Sequence, residues 1–168
     1  ESATLRINPA VFQKRLLESQ KKVIGRFDGR ITGDAADPLV PWPDYDPSLS
    51  PFLAAYSAVF NDYARRTLNY KSDLPYEVLT EKVHPWNYGR NGPAGLDVSG
   101  RLEAAMRKNP HLRVWFASGY FDLATPYFAT DYTIAHLDVT ADRRANITRT
   151  LYPGGHMMYH NLPALEKL

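Results

Sequence analysis

Val114-Trp115-Phe116-Ala117-Ser118-Gly119-Tyr120-Phe121-Asp122, read with Ile147-Thr148-Arg149-Thr150-Leu151-Tyr152-Pro153-Gly154-Gly155-His156, decides the fold of this chain. Each stretch is a β-run that stops at a short motif, Gly119-Tyr120-Phe121-Asp122 in the first and Pro153-Gly154-Gly155-His156-Met157 in the second. Between them, Pro126 to Leu137 reads as a helix. Thirty-four residues separate Asp122 from His156, close to the roughly 30 or more that a strand–helix–strand crossover requires. The spacing therefore predicts two parallel neighbours. It places the carboxyl group and the imidazole at the carboxyl edge of the sheet, where open α/β folds carry their sites.

The two residue types form a chemical pair. A neutral imidazole near pH 7 can take a proton from a hydroxyl nucleophile and return it to a leaving group. A buried carboxylate on the other ring nitrogen fixes the tautomer and stabilises the imidazolium that forms. Asp before His in chain order fits the last two members of a Ser–Asp–His order. The glycines ahead of His156 let the backbone turn tightly and come close to a neighbour. Asp122 also has a purely structural reading: Asp122-Leu123-Ala124-Thr125-Pro126 looks like a helix start, with Thr125 as its cap and Pro126 in the first turn.

At 168 residues the chain is long enough for one domain with a sizeable core. Its 44% hydrophobic and 23% charged residues are those of an ordinary globular protein. A net charge of +2 with interspersed signs gives no basic stripe for nucleic acid. No apolar run approaches the ~20 residues needed to span a bilayer, so neither a nucleic-acid nor a membrane partner is expected. The absence of cysteine excludes disulfides, a thiol nucleophile and a thiolate metal site.

Upstream, Pro9 to Lys22 reads as a helix with Val11, Phe12, Leu16 and Leu17 on one face. Val23 to Thr32 reads as a hairpin around Asp28-Gly29. Gly33 to Pro51, rich in Asp and Pro and containing Trp42, is a loop. Its carboxylates Asp34, Asp37, Asp44 and Asp46 lack the spacing of a calcium loop. Ser50 and Pro51 start the longest helix, to about Asn69, whose stripe Phe52, Tyr56, Val59, Phe60 and Tyr63 reads as core. The aromatic-rich stretch His84 to Gly92 reads as packing over a pocket, and Leu96 to Lys108 as another helix. Leu162 to Leu168 begins a last one.

Residues 1–95 thus form a helical, loop-rich, cap-like segment, and residues 96–168 carry the parallel strands. Two parallel strands do not make a stable sheet alone, because parallel sheets are wider and covered on both faces. The sequence holds no further buried β-runs, so the remaining strands are expected upstream of Glu1.

At this point the residues resemble the serine carboxypeptidases of the α/β-hydrolase fold. Gly119 to Asp122 is similar to that family's aspartate motif, and Gly154-Gly155-His156-Met157 followed by Leu162-Pro163 to its histidine motif. Gly25-Arg26-Phe27-Asp28-Gly29-Arg30, His84-Pro85-Trp86-Asn87 and Asp122-Leu123-Ala124-Thr125-Pro126 look closest to the bacterial branch. The resemblance implies a partial α/β-hydrolase: a helical cap remnant plus the last parallel strands and helices of the core sheet. It also implies release of C-terminal amino acids from peptides through an acyl-enzyme, without a cofactor or metal. Asp122 would be the orienting carboxylate, His156 the general base, and Met157 a neighbour of the pocket for the departing residue. The partners would be a peptide substrate and the missing amino-terminal part of the same enzyme, in a periplasmic or secreted setting. The nucleophile elbow Gly-x-Ser-x-Gly is absent, and Ser118, inside the first strand, reads as a core hydroxyl.

His156 and His160 are four apart but lack the adjoining glutamate of helical zinc sites, and Pro153 and Gly155 oppose a helix there. Two other readings remain open: a fragment of another α/β-hydrolase, such as an esterase or aminopeptidase, and a non-catalytic helical binding module.

Overall fold

The computed structural model describes residues 7–35, 40, 43–89 and 97–168. Asp37, Trp42, Leu96 and the Arg90–Gly92 end of the aromatic-rich stretch lie outside the described residues. The fold is mixed α/β, with two two-stranded sheets among the described residues.

The antiparallel sheet pairs β1 (Lys22–Ile24) with β2 (Thr32–Asp34), Val23 opposite Gly33. The hairpin is therefore present, but Asp28-Gly29 is not a two-residue turn. It sits inside a longer loop, residues 25–31, closed by the Gly25 N–H donating to Ile31 O at 2.8 Å.

The second sheet pairs β3 (Val114–Gly119) with β4 (Ile147–Tyr152) in parallel, from Val114 opposite Ile147 to Gly119 opposite Tyr152. Both strands end where the two motifs begin. The crossover runs through α4 (Tyr127–His136) and the short α5 (Ala141–Arg144). Arg144 closes the end of α4, its guanidinium donating to the carbonyls of Ile134 at 2.8 Å and Leu137 at 2.6 Å. These are carbonyls that a helix end leaves without a partner of its own.

Before β3 comes α3 (Ser99–Lys108), whose Met106 is buried. After β4 come a 3₁₀ turn (Met158–His160) and α6 (Leu162–Leu165). Tyr152, Met158 and Ala164 form one buried cluster, and the Tyr152 hydroxyl donates to Lys167 O at 3.1 Å.

Two helices bury something other than their predicted faces. In α1 (Pro9–Arg15), capped by the Asn8 side chain, Phe12 and the following Leu16 are exposed, whereas Gln13 and Lys14 are buried. Gln13 donates to Ile24 O at 3.4 Å and Lys14 lies 3.9 Å from Asp44, so polar contacts to the hairpin side fix the helix. In α2 (Ser50–Arg66) only Ala64 is buried, and the stripe Val59, Phe60 and Tyr63 is open. Phe60 stacks on Tyr76, with ring centroids 4.0 Å apart, but one extended return segment is too little to cover the stripe.

Leu49–Leu96 is a compact unit by itself, and Glu1–Ser48 folds with Asp97–Leu168. This differs from a division at residue 95. The hairpin belongs with the carboxyl-terminal strands because its loop is hydrogen-bonded to them, as described next.

Candidate functional site

Asp122 stands three residues past the end of β3. The Phe121 N–H donates to Gly154 O at 3.0 Å, which ties the loop after β3 to the loop after β4. Asp122 is only 5% exposed. Its Oδ1 accepts the N–H groups of Ala124 (2.7 Å) and Thr125 (2.9 Å). Its Oδ2 accepts the Thr125 hydroxyl at 2.6 Å and lies 2.9 Å from Nδ1 of His156. Burial alone would raise its pKa. The bonds from Thr125, His156 and Ala124 outweigh that and hold the carboxyl below its ordinary value.

The local fold departs from the predicted helix start in one respect. Thr125 does not cap α4; Pro126 occupies the cap position, with no side-chain bond to the helix. The Thr125 hydroxyl serves Asp122 instead, and its oxygen lies 3.2 Å from Nδ1 of His156.

His156 follows β4 after Pro153-Gly154-Gly155. A Cβ on Gly119 would overlap the Gly155 carbonyl, and a Cβ on Gly155 would overlap the Phe27 carbonyl oxygen and crowd Asp28. Glycine is therefore required at both positions for backbone to approach backbone. The His156 N–H donates to Phe27 O at 2.6 Å, and the Phe27 ring packs 5.0 Å from the imidazole. The imidazole is 39% exposed, while the carboxylate it faces is buried. An ionised Asp122 can only accept, so in this contact Nδ1 is the donor, and in the neutral ring that leaves the lone pair on Nε2.

The loop Gly25–Ile31 is the part of the site that sequence reasoning did not identify. It forms a bed under both motifs. The Gly29 N–H donates to Phe121 O at 2.9 Å, and the Leu123 N–H donates to Arg26 O at 3.0 Å. The loop is held from beneath by Ser48, whose Oγ accepts the N–H groups of Phe27 (3.0 Å) and Asp28 (3.2 Å). Asp46 accepts the Arg26 N–H at 3.1 Å and the Ser48 hydroxyl at 2.5 Å. The signal was present as Gly25-Arg26-Phe27-Asp28-Gly29-Arg30, but its hydrogen-bond partners in the two motifs are main-chain atoms that carry no residue identity.

Of the predicted site residues, Asp122 and His156 are brought into contact. Met157 is half-buried, and its carbonyl accepts the His160 N–H at 3.0 Å at the start of the 3₁₀ turn. Ser118 is buried in β3 with its hydroxyl 3.5 Å from that of Thr130, an interior position. An imidazole held by a buried carboxylate is a group that can accept and return a proton. Among the described residues, no cluster of three or more His, Asp or Glu side chains could hold a metal ion. No protein-family model, no curated protein and no solved structure matches this chain.

Proposed function

We propose that this chain is the carboxyl-terminal part of a serine-type carboxypeptidase of the α/β-hydrolase fold. The observation that carries the reading is the 2.9 Å contact between Asp122 and Nδ1 of His156 at the same end of two adjacent parallel strands. In the mechanism that follows, Nε2 of His156 takes the proton of a serine hydroxyl as its oxygen bonds to the carbonyl carbon of the last peptide bond. The same proton then passes to the departing amine, and the C–N bond breaks to leave an acyl-enzyme. Water repeats the cycle: Nε2 takes its proton, the ester bond breaks, and the serine hydroxyl is restored. Asp122 keeps Nδ1 protonated and stabilises the imidazolium at each step. Met157, next in the chain to the base, lies beside the pocket for the leaving residue.

The nucleophile and its oxyanion donors belong to a part of the enzyme outside these residues. Two features support this. No Gly-x-Ser-x-Gly occurs in the sequence. And β3 and β4 each have only one ladder partner among the described residues, whereas parallel sheets are wider.

The test is substitution in the intact enzyme. Asp122→Asn and His156→Ala, each folded by circular dichroism, should lower kcat on an N-blocked dipeptide by about 10³-fold or more. Unchanged turnover would mean that the pair is structural. A substrate panel of free-acid peptides, blocked peptides and simple esters distinguishes a carboxypeptidase from another hydrolase with the same pair.

A further inference from the structure

The main chain of Gly25–Ile31 touches both motifs, and so does one side chain in it, that of Arg30. Its Nε and Nη2 donate to Oδ1 and Oδ2 of Asp28 at 3.0 and 2.7 Å, a two-pronged pairing. Its remaining prong, Nη1, donates to Pro153 O at 3.3 Å, three residues before His156. Its guanidinium carbon lies 4.2 Å from the centre of the Phe121 ring, the residue before Asp122. Asp28 in turn backs onto Gly155, where an added Cβ would meet its Cα and Cβ. A planar fork can make a bidentate pairing, a third hydrogen bond and a face contact together; an ammonium group cannot.

We propose that Arg30 is a positioning residue for the Asp122–His156 pair, fastening the loop before each partner to one rigid group. The proposal rests on the reading of that pair as orienting carboxylate and base. The need for such a brace is visible at Nδ1, which faces two oxygens: Asp122 Oδ2 at 2.9 Å and the Thr125 hydroxyl at 3.2 Å. Asp122 can only accept from Nδ1. The Thr125 hydroxyl can also donate to it. A slip of a few tenths of an ångström toward Thr125 therefore allows the hydroxyl to turn from Oδ2 of Asp122 and donate its hydrogen bond to an unprotonated Nδ1. The neutral imidazole then carries its hydrogen on Nε2, and that tautomer cannot serve as the base. Arg30 fixes which oxygen Nδ1 meets, and so which nitrogen keeps its lone pair.

The experiment reads the tautomer directly, by nitrogen-15 NMR of the histidine-labelled full chain near neutral pH, with His156 assigned by loss of its signals in His156→Gln. The Nδ1–H form should predominate in the unaltered protein. Asp122→Asn, whose amide can donate to Nδ1, should swing the ring toward Nε2–H. Arg30→Lys keeps the charge but loses the fork and the flat contact. It should lower the ratio of Nδ1–H to Nε2–H by about three- to tenfold, the factor that one hydrogen bond of ordinary net worth carries. Where Lys is not tolerated, Phe121→Leu removes the ring under the guanidinium, leaves every charge in place and should shift the ratio the same way. Asn8→Ala, which removes the cap of α1, is the control for general destabilisation and should leave it unchanged.

An unshifted ratio in whichever of Arg30→Lys and Phe121→Leu folds overturns the proposal, as does an equal shift in Asn8→Ala. If Asp122→Asn moves the ratio and Arg30→Lys does not, Arg30 alone has been misassigned. If Asp122→Asn also leaves the ratio unmoved, the pair itself is not what orients the ring, and the proposal falls with it.

Discussion

At Asp122 the two carboxylate oxygens are divided between tasks: Oδ1 receives the backbone of Ala124 and Thr125, and Oδ2 receives the Thr125 hydroxyl and faces the imidazole. Asp122 therefore does not cap α4, whose cap position is Pro126; it folds the turn ahead of that helix and meets the imidazole with the same side chain. This division has a pH signature. Because the folded carboxyl titrates below its ordinary value, its stabilisation is complete above about pH 4 and is lost as pH falls through the lower, folded value. Asp122→Asn should therefore lower the melting temperature at pH 7, with the gap to the parent closing as the pH is brought toward about 2. Melts at stepped pH would show this; a gap that stays constant to pH 2 contradicts it. Asp28 is shifted in the same direction, burial opposing and the Arg30 bonds prevailing, so some acid sensitivity should survive in the variant. The pairing of Asp122 with His156 was legible because chain spacing encodes strand adjacency. The Phe27 carbonyl was not, because any residue offers the same oxygen.

Among the elements, the strands and their order followed from runs of β-forming residues, but helix faces did not follow from periodicity. Phe12 and Leu16 of the first stripe are exposed while Gln13 and Lys14 are buried, and Val59, Phe60 and Tyr63 of the α2 stripe are open. Amphipathic patterning says which face wants cover, and it is silent on whether cover is present. The hairpin loop illustrates the converse: a dipeptide typical of tight turns lies within a broad bed for two other loops. How closely that bed is fitted can be measured with two glycine substitutions. Gly155→Ala places a methyl group against the Phe27 carbonyl and Asp28, and should cost about 2 kcal/mol in urea unfolding, within the range for forcing extra volume into a packed site. Gly100→Ala, with open space around it inside α3, should instead stabilise by about 0.5–1 kcal/mol. Equal effects of the two would show that the loops after β3 and β4 are not seated on the hairpin.

For the molecule as a whole, the proposed reading gives this chain the Asp122–His156 pair and, with no Gly-x-Ser-x-Gly in the sequence, assigns the nucleophile to another part of the enzyme. A triad enzyme stripped of nucleophile and oxyanion hole forfeits essentially all of its roughly 10⁶-fold acceleration. The purified 168-residue chain is therefore expected to release no C-terminal amino acid from a blocked dipeptide. Detectable release, abolished by His156→Ala, would locate the nucleophile within this chain and overturn the proposed division of labour.

The reach of Arg30 to the Pro153 carbonyl also orders events in time. That bond joins residues 123 apart along the chain, whereas Trp115 meets Thr150 across only 35. Closing the longer loop costs about 1 kcal/mol more in chain entropy, so the parallel strands can meet before the hairpin docks beneath them. His156, whose backbone N–H rests on the Phe27 carbonyl of that hairpin loop, then gains its seat only after the strands have paired.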